Sequence, residues 1–376
     1  MKKLLSLVFI CALCLAGAGQ ALAAVVNVSG NITTNTTWTS SNVYELDGLV
    51  VVTDGATLTI EAGTLIYGLP GSGSATSYLI VDSAGNDVGG TYAPGAKIIA
   101  IGTAADPIIF TSEAAYLGNT EAPGQWGGLT IIGNAGNPQV GCYEVDPRYC
   151  PTSTNNNDNS GALRYVQINN SGITMDIDKE INGLSLCAVG KGTTIDNVSV
   201  LRSDDDCVEL WGGSVNLSNI YTEYCTDDQF DTDDGYSGTV SNLTIYQHTD
   251  GNAAMEMSGD TPDQKFVNVE ITQDFSDKEG VIYFKESNGI GGTFTNVVVR
   301  DNVADAYGAI HTNAGTGTLG AITFDNVDIC SDNISTNFTG PSAAELEAIF
   351  DACVAGGGGS CAPSGGSGCE ETAPCP

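Results

Sequence analysis

Asn197-Val-Ser-Val200, Asn219-Ile-Tyr221, Asn242-Leu-Thr-Ile245, Asn268-Val-Glu-Ile271, Asn296-Val-Val-Val299 and Asn326-Val-Asp-Ile329 are one phrase used six times. The copies stand 22, 23, 26, 28 and 30 residues apart. A period of that length with one short alternating run per unit marks a solenoid in which each unit is one turn of backbone. Apolar residues fall at −2, +1 and +3 from each Asn: Ile195, Val198 and Val200 in the first copy, Phe266, Val269 and Ile271 in the fourth, Phe324, Val327 and Ile329 in the sixth. Positions −2 and +1 of a straight strand face opposite ways, so the chain must bend at the Asn. Asn tolerates the left-handed conformation such a corner needs, and identical amides ~4.8 Å apart in successive coils can hydrogen-bond along the stack. The reading is an all-β chain, a parallel β-helix, with an internal ladder of Asn197, Asn219, Asn242, Asn268, Asn296 and Asn326.

The solenoid extends in both directions from this stretch. Residues 48 to 66 are alternating runs broken by Asp54-Gly55 and Ala62-Gly63, and Lys97-Ile-Ile-Ala-Ile101, Pro107-Ile-Ile-Phe110 and Trp126-Gly-Gly-Leu129 continue them. Residues 136 to 161, with Cys142 and Cys150, read as a long loop, after which Arg164-Tyr-Val-Gln-Ile168 resumes the coils. The solenoid is thus assigned to 24–340. A capping helix is expected at 341–355, where Ser342 precedes Glu345 by three and Leu346, Ile349 and Phe350 form an apolar stripe. Such a helix would cover the open edge of the last coil. Residues 356–376 read as a Gly/Ser/Pro tail without a core.

Residues 1–23 have the form of a secretory signal: Lys2 and Lys3, an apolar run from Leu4 to Leu15, and small residues closing on Ala21-Leu22-Ala23. The expected location is outside the cytoplasm: secreted, at the cell surface or periplasmic. No later stretch is long and apolar enough for a transmembrane helix. Forty-five acidic residues against 12 basic give a formal net charge of −33, which repels nucleic acid and favours divalent cations or a saline setting. Of 12 cysteines, Cys11 and Cys14 fall in the signal, and neither has a lipoprotein cleavage context. The rest are expected in disulfides, with Cys142 to Cys150 and Cys330 to Cys353 as natural closures. Cys187, Cys207, Cys225 and the tail's Cys361, Cys369 and Cys375 either pair between tail and body, stay free, or cross-link chains into a self-assembling structural protein.

Registering the units on their Asn reveals an acidic column at +8 and +9: Asp205 and Asp206, Asp227 and Asp228, Asp250, Asp277 and Asp305. Glu209 and Asp231 coincide at +12, with Asp233, Asp234 and Glu256 near them. Charges stacked ~4.8 Å apart repel by ~1 kcal/mol in water and several times that near a protein surface. Solvent, raised pKa values or bound Ca²⁺ would relieve them. The expected metal ligands are Asp205, Asp206, Asp227, Asp228, Asp231 and Asp250.

With coils, corners and column in place, the chain resembles a family of exported bacterial right-handed β-helix proteins with a pectin-lyase-like fold. The resemblance is carried by Gly55-Ala-Thr-Leu-Thr-Ile-Glu-Ala-Gly63, Trp126-Gly-Gly-Leu129, Glu180-Ile-Asn-Gly-Leu184, Asp205-Asp-Cys-Val-Glu-Leu-Trp-Gly-Gly213 and Asp227-Asp-Gln-Phe-Asp231. It implies fold and export, and no activity. Asp205-Asp206-Cys207 followed by Cys225 is also similar to polygalacturonases, which implies a bridge between those cysteines and a carboxylate-based hydrolysis. Where that family has its catalytic His, this chain has Thr226-Asp227-Asp228, and no Arg-x-Lys follows to hold an anionic sugar. Lyase chemistry wants a basic residue beside Ca²⁺; Arg202 and Lys278 stand nearest, and each reads more simply as a counterion.

The functional expectation is a secreted, non-catalytic β-helix that binds polysaccharide or a surface protein, with Ca²⁺ as cofactor. Trp211, Tyr221, Tyr224 and Tyr236 are candidate stacking surfaces for sugar rings. The alternative is a polysaccharide hydrolase or lyase acting through Asp205, Asp206, Asp228 and Asp231. An enzyme of that kind needs one carboxyl held protonated among ionised neighbours.

Overall fold

The computed structural model describes residues 23–85, 87–88, 91–92, 95–135, 154–176, 179–247, 251–259, 263–274, 279–285, 289–301, 307–313, 319–331, 338–355 and 362–364. The signal, the Cys142 to Cys150 loop, Asp250, Asp277, Lys278, Asp305 and the tail cysteines lie outside them.

The alternating runs form the parallel β-helix expected of them. Each coil contributes a long strand and a short one. Gly161–Asn169, Thr194–Leu201, Asn216–Glu223, Thr239–Gln247, Lys265–Gln273, Gly292–Asp301 and Ile322–Ser331 stack in parallel as the long strands. Leu129–Ile132, Leu184–Cys187, Val208–Trp211, Phe230–Asp233, Met255–Met257, Ile282–Phe284 and Ile310–Thr312 stack as the short ones. Upstream, Ala24–Ile32 pairs with Asn42–Val52, and Thr36–Trp38 with Thr57–Ile60.

The bend in each long strand is the one the apolar pattern demands. Asn197, Asn219, Asn242, Asn268, Asn296 and Asn326 all have φ between 53° and 57°, while the residues at −2, +1 and +3 are buried. Tyr165, one coil upstream and in register with Asn197, holds the same corner at φ 50° without an amide. The amides bond as a ladder: Asn242 Nδ2 donates to Asn219 Oδ1, Asn268 to Asn242 and Asn296 to Asn268 at 2.9 Å, and Asn326 to Asn296 at 2.8 Å.

Two features of the ladder differ from the expectation. It lies outside the coil, not within it: the rungs from Asn219 onward are exposed. Three apolar positions per bend already fill the interior, and a left-handed residue between them turns its side chain to solvent. Its first rung is also different, because Asn219 Nδ2 donates to Asp196 Oδ1 (2.8 Å) instead of to Asn197.

The interior is a continuous apolar column from Trp38 to Phe350. Phe266, Phe294 and Phe324, the −2 residues of three consecutive units, stack at centroid spacings of 5.3 and 5.6 Å. Aromatic rings at such spacings add offset or edge attraction to the area they bury. The helix Ala343–Ala355 closes this column: Leu346 and Phe350 are buried, with Phe350 set 6.0 Å from Phe324 and 5.5 Å from Phe338. Within the tail, Ala362–Ser364 adds a parallel strand beside Ile322–Ser331. The last coil offers unpaired backbone groups that such a strand satisfies, and Pro363 is tolerated on that outer position.

A second, smaller apolar cluster sits outside the coil. Val51, Ile80, Ile132, Cys187 and Trp211 project from the short-strand face and are covered by the antiparallel hairpin of Ile173–Asp176 with Lys179–Ile181. The same face carries the acidic residues, beginning with Glu209 on the strand that bears Trp211.

Candidate functional site

The short strands place the acids through one spacing. Leu184, Val208, Phe230, Met255 and Ile282 are in register and buried. The residue after each points outward, giving the rib Ser185, Glu209, Asp231, Glu256 and Tyr283, which His311 extends on the next strand. The residue two before each of the first four sits in the preceding turn, giving Asn182, Asp206, Asp228 and Ala253.

The turn rib is locked by the backbone. Asp206 N–H donates to Asn182 Oδ1 (3.1 Å), Asp228 N–H to Asp206 Oδ1 (2.8 Å) and Ala253 N–H to Asp228 Oδ1 (2.6 Å). Each side chain thus accepts the amide of the next coil, which fixes its rotamer and leaves the second oxygen for other partners. Asn182 Nδ2 also donates to Glu209 Oε2 (2.5 Å), tying the two ribs together.

Counting from the Asn predicts Asp250 as the third member of the column; Asp250 lies outside the described residues, and in the strand register the place equivalent to Asp228 is held by Ala253. Two Asp residues occupy the turn rib and three carboxylates, Glu209, Asp231 and Glu256, occupy the strand rib. Sequence reasoning did not find Asn182, Glu279 or Lys285, and gave Glu256 no position. The signal was present as an acid three residues after the turn position: Asp206 with Glu209, Asp228 with Asp231, and Ala253 with Glu256.

Three carboxylate triads result, each with ligand oxygens within 4.8 Å of one another: Asp205, Asp206 and Asp227; Asp206, Glu209 and Asp231; Asp228, Glu256 and Glu279. Asp206 is common to the first two. The cluster is closed rather than open, with Asp205, Asp206, Asp228, Asp231 and Glu256 exposed by only 7%, 6%, 4%, 5% and 3%. Burial and then the surrounding charges of Asp205, Asp228, Asp227 and Asp231 hold the Asp206 carboxyl well above the usual carboxylate range. Burial, and after it the Glu256 charge, does the same to Asp228 and Asp231. Glu256 is pushed up to about 7, mainly by burial, against the Lys285 ammonium, which pulls it down.

Lys285 follows the Ile282–Phe284 strand, its Nζ 2.8 Å from Glu256 Oε1. Arg202, in contrast, pairs with Glu121 at 3.2 Å and lies over the Tyr224 ring at 5.6 Å, so it is no counterion of the acids. Despite these partners, Asp231 Oδ1, Glu256 Oε2 and Glu279 Oε2 are buried without a hydrogen-bond partner among the described residues. Orphaned carboxylate oxygens in an all-oxygen donor set fit a hard divalent cation such as Ca²⁺.

The aromatic candidates divide. Trp211 is buried in the outer apolar cluster, and Tyr236 is buried with its hydroxyl donating to Val215 O (2.9 Å). Neither offers a stacking face. Tyr221 and Tyr224 are half-buried at the surface, with Tyr221 Oη donating to Glu223 Oε2 at 2.6 Å. A disulfide joins Cys207 to Cys225 in adjacent coils, Cα atoms 5.5 Å apart, as the resemblance to polygalacturonases implies. Cys187, Cys330 and Cys353 are also disulfide-bonded. Such bonds belong to an oxidising compartment. Among the described residues no helix is long and apolar enough to cross a membrane.

A family model described as a pectate-lyase like beta helix domain matches residues 30–363. No curated protein and no solved structure matches the chain.

Proposed function

The chain belongs to the pectate-lyase-like β-helix family, and from that premise we propose that it is an exported surface or matrix protein that holds Ca²⁺ in its buried acidic cluster and binds carbohydrate or a partner protein without transforming it. The observation that carries this reading is the Asp206, Glu209 and Asp231 triad, three buried carboxyls of which Asp231 keeps an oxygen with no hydrogen-bond partner among the described residues. Asp206, Glu209 and Asp231 would hold the ion, with Asp205 and Asp227 on its other side. When bound, the ion supplies the positive charge that lets these carboxyls ionise. The chain's own share is structural: turn amides fix the ligands, and the ion cross-links adjacent coils.

A second reading, polysaccharide hydrolysis, is favoured by Glu256, whose raised carboxyl beside Asp228 has the form of a general acid. Access argues against it. A general acid must reach the glycosidic oxygen, and Asp206, Asp228 and Asp231 are each more than nine-tenths buried.

The test is thermal unfolding of the mature protein at fixed ionic strength with excess Ca²⁺ and with chelator. Binding confined to the native state adds roughly 2.7 kcal/mol at a hundredfold excess over Kd. A rise of several degrees that Asp206→Asn abolishes supports the reading. Identical transitions in both buffers remove Ca²⁺ from it.

A further inference from the structure

The three triads are not equivalent. Asp228, Glu256 and Glu279 come from three successive coils, and into this group alone, among the ion pairs the described residues show, the chain sends an ammonium: Lys285 Nζ meets Glu256 Oε1 at 2.8 Å. The lysine is placed there by the fold. Its backbone N–H donates to Met257 O (3.0 Å), so it leaves the Ile282–Phe284 strand directly beside the strand that bears Glu256. The geometry is a tethered cation delivered from one coil to the carboxylate of the coil before it.

One ammonium does not satisfy the group. Glu256 is 3% exposed, and among the described residues its Oε2 has no hydrogen-bond partner; Glu279 Oε2 is likewise buried and without a partner among them. An ammonium is a compact charge with three donors that serves oxygens on its own side, whereas Ca²⁺ takes six to eight oxygens around its whole surface. Lys285 is also half-exposed, with 50% of its side chain open to solvent. It thus meets the carboxylate group from its solvent side rather than as a buried member of it.

We propose that Lys285 is a built-in competitor ion: its ammonium occupies the Asp228, Glu256 and Glu279 triad in place of a divalent cation, and its removal opens an additional Ca²⁺ site there. The proposal rests on the same cluster as the functional reading above and concerns which part of it accepts metal. It makes Lys285 the residue that sets how many ions the protein holds.

Metal stoichiometry tests it. Calcium binding is measured by calorimetry on the mature protein, on Lys285→Met, which keeps the aliphatic stem, and on Lys285→Arg, which keeps the charge. The expected result is one more Ca²⁺ equivalent in K285M than in the parent, no gain in K285R, and loss of the gain in K285M combined with Glu279→Gln. Equal stoichiometry in K285M and the parent, with circular dichroism showing both folded, overturns the proposal. A parent that binds no Ca²⁺ refutes the functional reading instead, and a gain in K285M still upholds the role of Lys285.

Discussion

Raising the pH should weaken the metal-free protein, and two carboxyls allow the size of the effect to be worked. Glu256 is held at about 7 against an ordinary 4.5, chiefly by burial, and Asp82, also pushed up mainly by burial, at about 6 against 3.8. A carboxyl with a raised native pKa binds its proton more tightly in the folded chain than in the unfolded one. Its contribution is therefore greatest below the unfolded pKa and is lost as pH climbs through the folded value. At about 1.4 kcal/mol per pKa unit, each group removes about 3 kcal/mol between pH 4 and pH 8. Asp206, Asp228, Asp231, Asp158 and Asp204 shift in the same direction. His311, held low by burial, opposes them near pH 6, because charging it favours the unfolded chain. Glu45 and Asp196, whose carboxyls are held low, act only at more acid pH. The assay is thermal or urea unfolding in chelator from pH 5 to 8, with Glu256→Gln and Asp82→Asn alongside. Stability should fall across the window, Glu256→Gln should flatten the fall by about 2.5 kcal/mol and Asp82→Asn by about 1.4 kcal/mol, and Ca²⁺ should remove only the part carried by Asp206 and Asp231. A stability that is constant or rises from pH 5 to 8 in chelator would refute the reasoning.

Asn268→Ala should cost about 2–4 kcal/mol in urea unfolding, since it removes two ladder bonds and forces alanine into the left-handed region at φ 57°. Asn268→Gly, which loses only the bonds, should cost about half as much, and equal losses in the two variants would show that the corner is unstrained. Phe350→Ala leaves a gap where the helix meets Phe324 and Phe338, and should cost about 3–5 kcal/mol. Hydrogen exchange should locate that loss in Ile322–Ser331, and uniform loss along the solenoid would contradict the capping role of the helix.

The fold was legible because it is written in apolar parity. Ile195, Val198 and Val200 cannot share an interior unless the chain bends at Asn197, and no cofactor or distant contact is needed to say so. The site was legible only where coils have equal length. Asp206 and Asp228 are separated by one regular coil and were placed correctly, whereas in the next coil counting gives Asp250 and the strand register gives Ala253. Lys285 was invisible for a related reason: a lysine after a strand has no periodic signature, and its partner Glu256 is fixed only by the strand register. Trp211 and Tyr236 read as surface aromatics because the hairpin that buries Trp211, and the carbonyl that receives the Tyr236 hydroxyl, come from other coils.

The Asn ladder is directional. Each of Asn219, Asn242, Asn268 and Asn296 donates through Nδ2 to the coil before it and accepts on Oδ1 from the coil after, and Asn326 donates to Asn296, so the side-chain dipoles of the five align head to tail. The amino end of that array terminates on the Asp196 carboxylate, which accepts and cannot donate. Partial burial pushes that carboxyl up, yet the bonds from Asn219, Ser218 and Asn197 and the Arg164 guanidinium together hold it below its ordinary range. Asp196 is thus the founding block of a vectorial series. An engineered copy of the repeat spliced in between two rungs from Asn219 to Asn326, carrying its own Asn, would meet the carbonyl of the rung before it and the amide of the rung after it, while one spliced in before Asp196 would meet an acceptor already committed, so this scaffold can be lengthened on one side of Asp196 only.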